Sequence, residues 1–201
     1  VYMHAYVYVN GRFVGEHHYG YTSFAFDITE HLVCDGVTEN VVAVKAVNQT
    51  PSSRWYSGSG IYRDVTLLAL DPVHVDLHGV TVPTPDIASG SGKTNVVTQL
   101  VNDSNAAVSA TVKTTIREKG SETALATASA TVSVAAGATA TASTAPVVSS
   151  PKLWSVESPN LYTVTTEVTV GGRVVDTHTT DFGFRWTEWK STGFYLNGKA
   201  V

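Results

Sequence analysis

The chain is organised around one stretch, Ser52-Ser53-Arg54-Trp55-Tyr56-Ser57-Gly58-Ser59-Gly60-Ile61-Tyr62-Arg63-Asp64-Val65, which leads into a predicted strand over residues 61–70. The glycines at 58 and 60 allow positive φ angles and let the backbone approach other groups closely. The arginine, tryptophan and tyrosine side chains supply flat faces and several hydrogen-bond donors. The stretch therefore predicts an aromatic loop at the edge of a β-sheet.

Three side chains of this loop form the candidate binding site: Arg54, Trp55 and Tyr56. An aromatic face stacks on the C–H side of a pyranose ring, and a guanidinium holds a carboxylate or two hydroxyls at once. In the alternative, Trp55 and Tyr56 plug one end of a β-sandwich and Arg63 pairs with a buried acid. Spacing alone does not separate the two interpretations.

A resemblance to a known family favours the first interpretation. Residues 54–65 resemble the end of the sugar-binding domain of family 2 glycoside hydrolases, most closely the β-galactosidase branch. Residues 7–15 and 20–29 resemble a hairpin and a strand end of the same domain. Residues 153–162, 182–185 and 194–199 resemble the family's immunoglobulin-like domain and its run into the catalytic barrel.

The resemblance implies an all-β fold in which a partial jelly-roll (galactose-binding-like) sandwich precedes an immunoglobulin-like β-sandwich. We place the C-terminal part of the sugar-binding jelly roll at residues 1–70 and the immunoglobulin-like sandwich at 71–185. The boundary lies at Asp71-Pro72, because proline cannot continue a central strand. Residues 186–201 are expected to be a linker and the first hairpin of a catalytic barrel that is absent from this sequence.

Alternating patterns predict the strands themselves. In the first domain they lie at residues 1–9, 12–16, 23–28, 40–48 and 61–70, with a helical turn at 29–32 and a tight turn at Asn10-Gly11. In the second domain they lie at 73–81, 94–102, 108–118, 161–170 and 173–182. Residues 123–151 carry no charge, as a disordered stalk would, but their alternation favours two further strands around Gly137.

Composition excludes several classes of function. Hydrophobic residues make up 43% of the chain and charged residues 15%, and no apolar run is long enough to cross a bilayer. A net charge of −4 argues against nucleic acid, which requires a concentrated basic face. The chain is expected to be soluble, in the bacterial cytoplasm or secreted, with no membrane partner and no cofactor.

Metal ligation is not expected from the sequence. Cys34 is the only cysteine, so it has no partner for a disulfide or a thiolate site. His17 and His18 are adjacent in a predicted strand, where alternation sends their side chains to opposite faces. The sequence therefore predicts no metal site.

No catalytic residue is nominated. A retaining glycosidase needs two carboxyl groups roughly 5–5.5 Å apart, and the resemblance implies that these lie in the barrel, beyond Val201. The acids of this chain have no pairing pattern. We expect Asp27 to cap the turn at Thr29 and Asp64 to form an ion pair with Arg63; the others at strand ends or turns are Glu30, Glu157 and Asp181.

The resemblance also assigns roles to the candidate site residues. Arg54, Trp55 and Tyr56 would bind substrate or line the active-site mouth. Some family members place an acidic residue just before this tryptophan, and its replacement by Ser52-Ser53-Arg54 puts direct galactose contact in question. Residues at domain interfaces are predicted to be Tyr62, Arg63, Trp154 and Arg185.

Two classes of function follow. The first is a non-catalytic fragment of a glycosidase that cleaves terminal β-galactosides with retention, with β-glucuronides and β-mannosides as unresolved alternatives. Its partners would be a β-galactoside, the barrel of the same chain and, through an exposed strand edge, a second copy. The rival is a free-standing carbohydrate-binding or adhesive β-sandwich module.

Overall fold

The structure is a computed structural model that describes residues 1–49 and 58–201. The chain forms two compact units, Val1–Leu68 and Ala69–Val201. Both are built from β-strands, and the helices of the described part are two short 3-10 turns, Thr29–His31 and Ile87–Ser89. The predicted all-β class is confirmed: part of a jelly roll is followed by an immunoglobulin-like sandwich. None of the described helices has the length and apolarity that a bilayer span requires.

The first unit contains an antiparallel sheet in the order β2-β1-β3. Its strands are β1 (His4–Val9), β2 (Arg12–His17) and β3 (Val42–Val47). The predicted turn between β1 and β2 is confirmed, since Asn10 and Gly11 have φ angles of 50° and 77°, as a type I′ turn requires. Ala5, Val7 and Val9 of β1 are buried, so the alternation seen in the sequence becomes one apolar face.

Two strands predicted for this unit are wrong. Residues 23–28 and 61–70 form no β-ladder. Phe24 and Phe26 instead pack by their rings, with centroids 5.5 Å apart, and Phe24 stacks on His17 at 4.6 Å. Leu67 is 73% exposed. An alternating pattern identifies a possible sheet face but supplies no partner strand, and these segments pair with none among the described residues.

The helical turn predicted between residues 23–28 and β3 is confirmed. Residues 29–31 form a single 3-10 turn, and the Asp27 carboxylate accepts hydrogen bonds from the Thr29 backbone N–H at 2.9 Å and hydroxyl at 2.6 Å. The predicted capping role of Asp27 is confirmed. Its bonds to Thr29 lower the pKa of Asp27.

The second unit is a sandwich of seven strands in the described chain, arranged as two antiparallel sheets. One sheet has the order β10-β9-β6-β7 and the other β4-β5-β8. The strands are β4 (Val73–Thr81), β5 (Val96–Asn102), β6 (Val108–Glu118), β7 (Ala126–Val134), β8 (Ala138–Thr144), β9 (Tyr162–Val170) and β10 (Arg173–Phe182). The predicted count of seven strands is confirmed, and Gly171 and Gly172, with φ angles of 57° and 81°, form the turn between β9 and β10.

The uncharged tract at 123–151 folds as two strands, as its alternation predicts. β7 pairs with β6, whereas β8 pairs with β5 in the opposite sheet. Gly137, with φ of 63°, lies in the connection between them. The tract therefore links the two layers of the sandwich and is not a stalk.

The core between the sheets combines many small and β-branched side chains with a few large ones. One cluster centres on Leu100, Val112 and Val168, and the other on Ile116, Tyr162 and Phe184. Buried threonines lie among them, and the hydroxyls of Thr114 and Thr144 share a hydrogen bond of 2.7 Å between the two sheets. Polar groups thus contribute to the contact between layers as well as apolar ones.

Residues after the sandwich form a further small sheet in the order β11-β12-β13. Its strands are β11 (Thr187–Lys190), β12 (Gly193–Leu196) and β13 (Lys199–Ala200). The segment expected to be a linker and one hairpin thus carries three strands. That it begins a catalytic barrel stays a prediction.

The buried threonines generate a test of stability. Thr166 is fully buried and its hydroxyl has no hydrogen-bond partner, so Thr166→Val removes an unpaired polar group at nearly constant volume. We expect the free energy of unfolding to rise by about 1 kcal/mol. Thr114→Val should lower it by about 1–2 kcal/mol, because Thr144 loses its partner. Urea denaturation measures both, and a fall for Thr166→Val would show that its hydroxyl is paired.

Candidate functional site

The three predicted binding residues, Arg54, Trp55 and Tyr56, lie outside the described residues, so their role stays a prediction. The chain on either side of them is described. Val47 at the end of β3 pairs with His4. Gly60 pairs with Tyr2, and the two residues exchange backbone hydrogen bonds of 2.9 and 3.3 Å. The described residues on both sides of 50–57 are therefore held by residues 2 and 4, at and just before the start of β1.

Tyr62 and Arg63 hold the C-terminal flank of the loop on residues 20 and 21. The Tyr62 hydroxyl donates a hydrogen bond to the carbonyl oxygen of Gly20. Arg63 donates to the carbonyl oxygen of Tyr21 at 3.0 Å, and its guanidinium lies 5.2 Å from the centre of the Tyr62 ring. The predicted ion pair between Arg63 and Asp64 is wrong: no such bridge forms, because the guanidinium binds a backbone carbonyl.

Tyrosine rings surround this attachment point. Tyr21 contacts Tyr2 and Tyr19 edge to face, with centroids 5.9 and 5.8 Å apart. Gly20 is buried against the Tyr2 ring so closely that a Cβ atom there would overlap it. Tyr19, Tyr21 and Tyr62 are each at least half exposed. Aromatic faces are therefore available to solvent beside the loop.

Trp154 and Arg185, the other pair predicted at an interface, meet in the second unit. The Arg185 guanidinium lies 4.7 Å from the centre of the Trp154 ring, a cation–π contact. Trp154 donates its backbone N–H to the carbonyl oxygen of Phe184 at 2.8 Å. Gly183 allows this approach, since a Cβ there would lie 2.7 Å from the Trp154 Cβ. Their role at a domain interface stays a prediction.

Two shallow clefts adjoin this pair, and both are lined by Trp154 and Arg185. One, of about 410 Å³, is completed by Val82, Pro83, Thr84, Leu161, Asp181, Phe182 and Gly183. The other, of about 430 Å³, is completed by Val156, Trp186, Thr187, Phe194, Leu196 and Val201. The stacked pair thus forms the wall between them.

Asn197 has a structural role that the sequence did not indicate. Its side-chain amide donates to the carbonyl oxygen of Trp154 at 2.9 Å, and its side-chain oxygen accepts from the backbone N–H of Trp186 at 3.2 Å. The Asn-Gly pair at 197 and 198 has φ angles of 51° and 77°, typical of a type I′ turn. The turn was readable from the sequence, but the contact with a tryptophan 43 residues away was not.

Several carboxyl groups of the described chain are bound by neighbouring side chains or backbone groups. Asp181 accepts from Lys119 at 2.5 Å and from the Thr163 hydroxyl at 3.0 Å, and these bonds lower its pKa. Arg173 forms a two-pronged ion pair with Asp71 and lowers the pKa of that carboxyl. A backbone hydrogen bond and Ser155 lower the pKa of Glu157. Every carboxyl whose pKa is displaced is displaced downward.

The fold and the site together define a class of protein with two all-β units, of which the second is an immunoglobulin-like sandwich. Both units carry aromatic and arginine side chains at their surfaces. Among the described carboxyl groups whose pKa is shifted, none has a raised pKa. Comparison with known proteins identifies the family. The model of "Glycosyl hydrolases family 2, sugar binding domain" matches residues 1–71, and that of "Glycosyl hydrolases family 2" matches residues 73–185. The chain belongs to glycosyl hydrolase family 2.

Relatives in this family carry different names. The chain is 37% identical over 204 residues to beta-galactosidase BoGH2A of Bacteroides ovatus, covering 100% of this chain and 24% of that protein. A family 2 member from Bacteroides cellulosilyticus superposes with a TM-score of 0.90 at 32% identity, covering 100% and 27%. Bacteroides uniformis beta-glucuronidase 2 superposes with a TM-score of 0.84 at 32% identity, covering 98% and 25%. The chain therefore spans about a quarter of each.

The contacts of Asn197 predict how β11–β13 is held. Asn197→Gly removes both side-chain hydrogen bonds but keeps the positive φ without strain, so we expect a loss of about 1–3 kcal/mol. Trypsin cleavage after Lys190 should accelerate and tryptophan fluorescence should shift to longer wavelength. Asn105→Gly, at an exposed turn position, is the matched control. Equal cleavage rates in both variants would contradict this role.

The lowered pKa of Asp181 predicts a pH dependence. A carboxyl whose folded pKa is depressed stabilises the fold above its unfolded pKa, near 3.9, and this contribution disappears as the pH falls through the folded pKa. The difference in Tm between wild type and Asp181→Asn should therefore be constant from pH 5 to 8 and shrink below about pH 4. A difference that instead changes around pH 6–7 would indicate a raised pKa.

Proposed function

We propose that this chain is the non-catalytic part of a family 2 glycosidase that cleaves terminal β-galactosides with retention. In this role it supports the catalytic barrel and shapes the mouth of its active site. The observation that carries the proposal is the match of both family models, the sugar-binding domain at 1–71 and the next domain at 73–185. The two matched regions cover nearly all of the chain, and neither is the catalytic barrel.

The chemistry of the carboxyl groups supports a role without catalysis. Retention requires a nucleophile and an acid/base residue roughly 5–5.5 Å apart, and the acid needs a raised pKa. Asp27, Asp71 and Asp181 have lowered pKa values because each accepts hydrogen bonds or an ion pair. Such groups remain ionised at neutral pH and do not protonate a leaving oxygen.

The contact with the barrel is proposed to involve the region around Trp154 and Arg185. The clefts on either side of this pair offer apolar and guanidinium surface to a neighbouring domain. Val156 and Trp189 of the same unit are 67% and 80% exposed. Large apolar side chains at a surface are typical of positions that another domain covers.

A galactoside is the proposed substrate class because the loop at 54–65 resembles the β-galactosidase branch most closely, and a relative named beta-galactosidase is 37% identical. The structural neighbour named beta-glucuronidase makes a glucuronide the competing choice. Arg54, Trp55 and Tyr56 are proposed to line the mouth. The chain's own affinity for a sugar would be weak, since half of such a pocket wall would belong to the barrel.

A second candidate function is a carbohydrate-binding or adhesive module that acts on its own. The half-exposed rings of Tyr19, Tyr21 and Tyr62 favour it, because exposed aromatic faces suit stacking on a sugar. The two functions differ in affinity. A module that acts alone should bind a sugar tightly enough to work without a barrel.

We expect the purified 201-residue chain to hydrolyse an aryl β-galactoside and an aryl β-glucuronide no faster than buffer, because the nucleophile and the acid/base residue are proposed to lie in the barrel. Galactose should bind with a dissociation constant of about 1 mM or weaker, equivalent to at most about 4 kcal/mol. Chromogenic assays and NMR titration measure the two quantities. Trp55→Ala should weaken binding, with Trp189→Ala as the control outside the loop.

Each part of the proposed function would be contradicted by a different result. Turnover that disappears when a single acid of this chain is replaced would place a catalytic site here. Micromolar affinity for a sugar would favour the free-standing module. Tighter binding of glucuronate than of galactose would replace the galactoside with a glucuronide.

A further inference from the structure

The hairpin of the first unit brings together two histidines that are far apart in the sequence. In the ladder between β1 and β2, Ala5 pairs with His17 and Tyr6 with Glu16. His4 and His18 therefore face each other one step further along, at the end of the hairpin away from its turn. Their ring centroids are 5.2 Å apart. His17 points to the other face of the sheet, where it stacks on Phe24.

The two rings point the same kind of atom at each other. Nδ1 of His4 lies 3.1 Å from Nδ1 of His18. On the far side of the His18 ring, Nε2 lies 3.2 Å from the carboxylate of Glu16. Because a carboxylate accepts hydrogen bonds only, Glu16 at this distance favours the tautomer of His18 in which Nε2 carries the hydrogen. Nδ1 of His18 is then left with a free lone pair directed at His4.

From this geometry we propose that His4 and His18 bind one borderline divalent cation, such as Zn²⁺ or Cu²⁺, through their two Nδ1 atoms. Two nitrogens at Zn–N distances of about 2.0–2.1 Å in a tetrahedral site lie about 3.3 Å apart. The observed 3.1 Å is close to that separation. A carboxylate beside the other ring nitrogen, where Glu16 lies, is the usual outer partner of a metal-binding histidine.

The proton balance of binding is simple. Before binding, the hydrogen between the rings belongs to Nδ1 of His4, because Nδ1 of His18 is the acceptor. On binding, that hydrogen moves through solvent to Nε2 of His4, so that both Nδ1 lone pairs face the cation. Because the hydrogen only moves between the two nitrogens of His4, this exchange releases no net proton, and the remaining ligands are water molecules.

The charges around the two histidines and the number of protein ligands set the expected affinity for Zn²⁺. Side chains on the same face include Glu16, which supplies a negative charge, and Tyr6, whose ring lies under Lys45 with Nζ 5.7 Å from its centre. In the part of the chain that the structure describes, no group of three or more His, Cys, Asp or Glu could hold a metal. Two protein ligands instead of four place the dissociation constant for Zn²⁺ at about 10–100 µM.

The site would fasten the first residues of β1 to the end of β2. Tyr2, just before β1, and His4, its first residue, also pair with the described residues on either side of 50–57, through Tyr2 with Gly60 and His4 with Val47. A bound cation would therefore stabilise these pairings. This inference is independent of the proposed function, because it concerns only the hairpin.

The experiment is calorimetric titration of the tag-free chain with ZnCl₂ at pH 7.5. Wild type should bind one equivalent, and His18→Gln and His4→Gln should each weaken binding at least tenfold. Glu16→Gln should weaken it about tenfold, as loss of an outer partner does. His17→Gln, a histidine one residue away on the opposite face, is the matched control and should bind as wild type. Cu²⁺ should bind more tightly than Zn²⁺.

Long-range ¹⁵N–¹H spectra of the wild type provide a readout that needs no variant to fold. Zn²⁺ should shift Nδ1 of His4 and His18 and leave Nε2 of both protonated. The proposal is overturned if Zn²⁺ at 1 mM leaves both Nδ1 signals unchanged. It is also overturned if a folded His18→Gln variant binds as tightly as wild type.

Discussion

The second unit depends on the close contact of two sheets through small and β-branched side chains. Hydrogen bonds satisfy the backbone within each sheet, but only side chains hold one sheet to the other. Val112 and Leu100 fill this space, and the hydroxyls of Thr114 and Thr144 bridge it at 2.7 Å. An alanine- and threonine-rich tract suits this arrangement, because short side chains let the layers approach and hydroxyls find partners between them.

The surface near Trp154 is a direct consequence of that core. Phe184 is fully buried and contacts both Tyr162 and Phe182 edge to face, which fixes the backbone on either side of it. Its carbonyl oxygen accepts from Trp154, and the next residue, Arg185, covers the Trp154 ring. A guanidinium held in this way loses little further entropy when a neighbour binds, since its rotamer is already chosen.

The sequence predicted the second unit better than the first, for a physical reason. In the sandwich each alternating segment has a partner strand, so a pattern such as that of residues 126–134 translates directly into burial. Residues 61–70 alternate as well, but they pair with no described strand and their apolar side chains stay exposed. The pairing of His4 with His18 was equally invisible, because it depends on the register of β1 against β2 and not on local sequence. The residues of the aromatic loop could be recognised in the sequence, but the hydrogen bond from Tyr62 to Gly20 could be found only in the three-dimensional structure.

The chemical character of the chain follows from what its charged groups are already bonded to. Lys119 and Arg173 hold Asp181 and Asp71 as ions, and a carboxylate stabilised in this way is a weaker base and a poorer proton donor at neutral pH. The described surface also presents aromatic faces and guanidinium groups, such as those of Tyr62 and Arg185. Flat faces and fixed donors recognise sugars and protein surfaces but transfer no protons. Recognition and support, with bond cleavage left to another domain, is the division of labour that we propose for this chain.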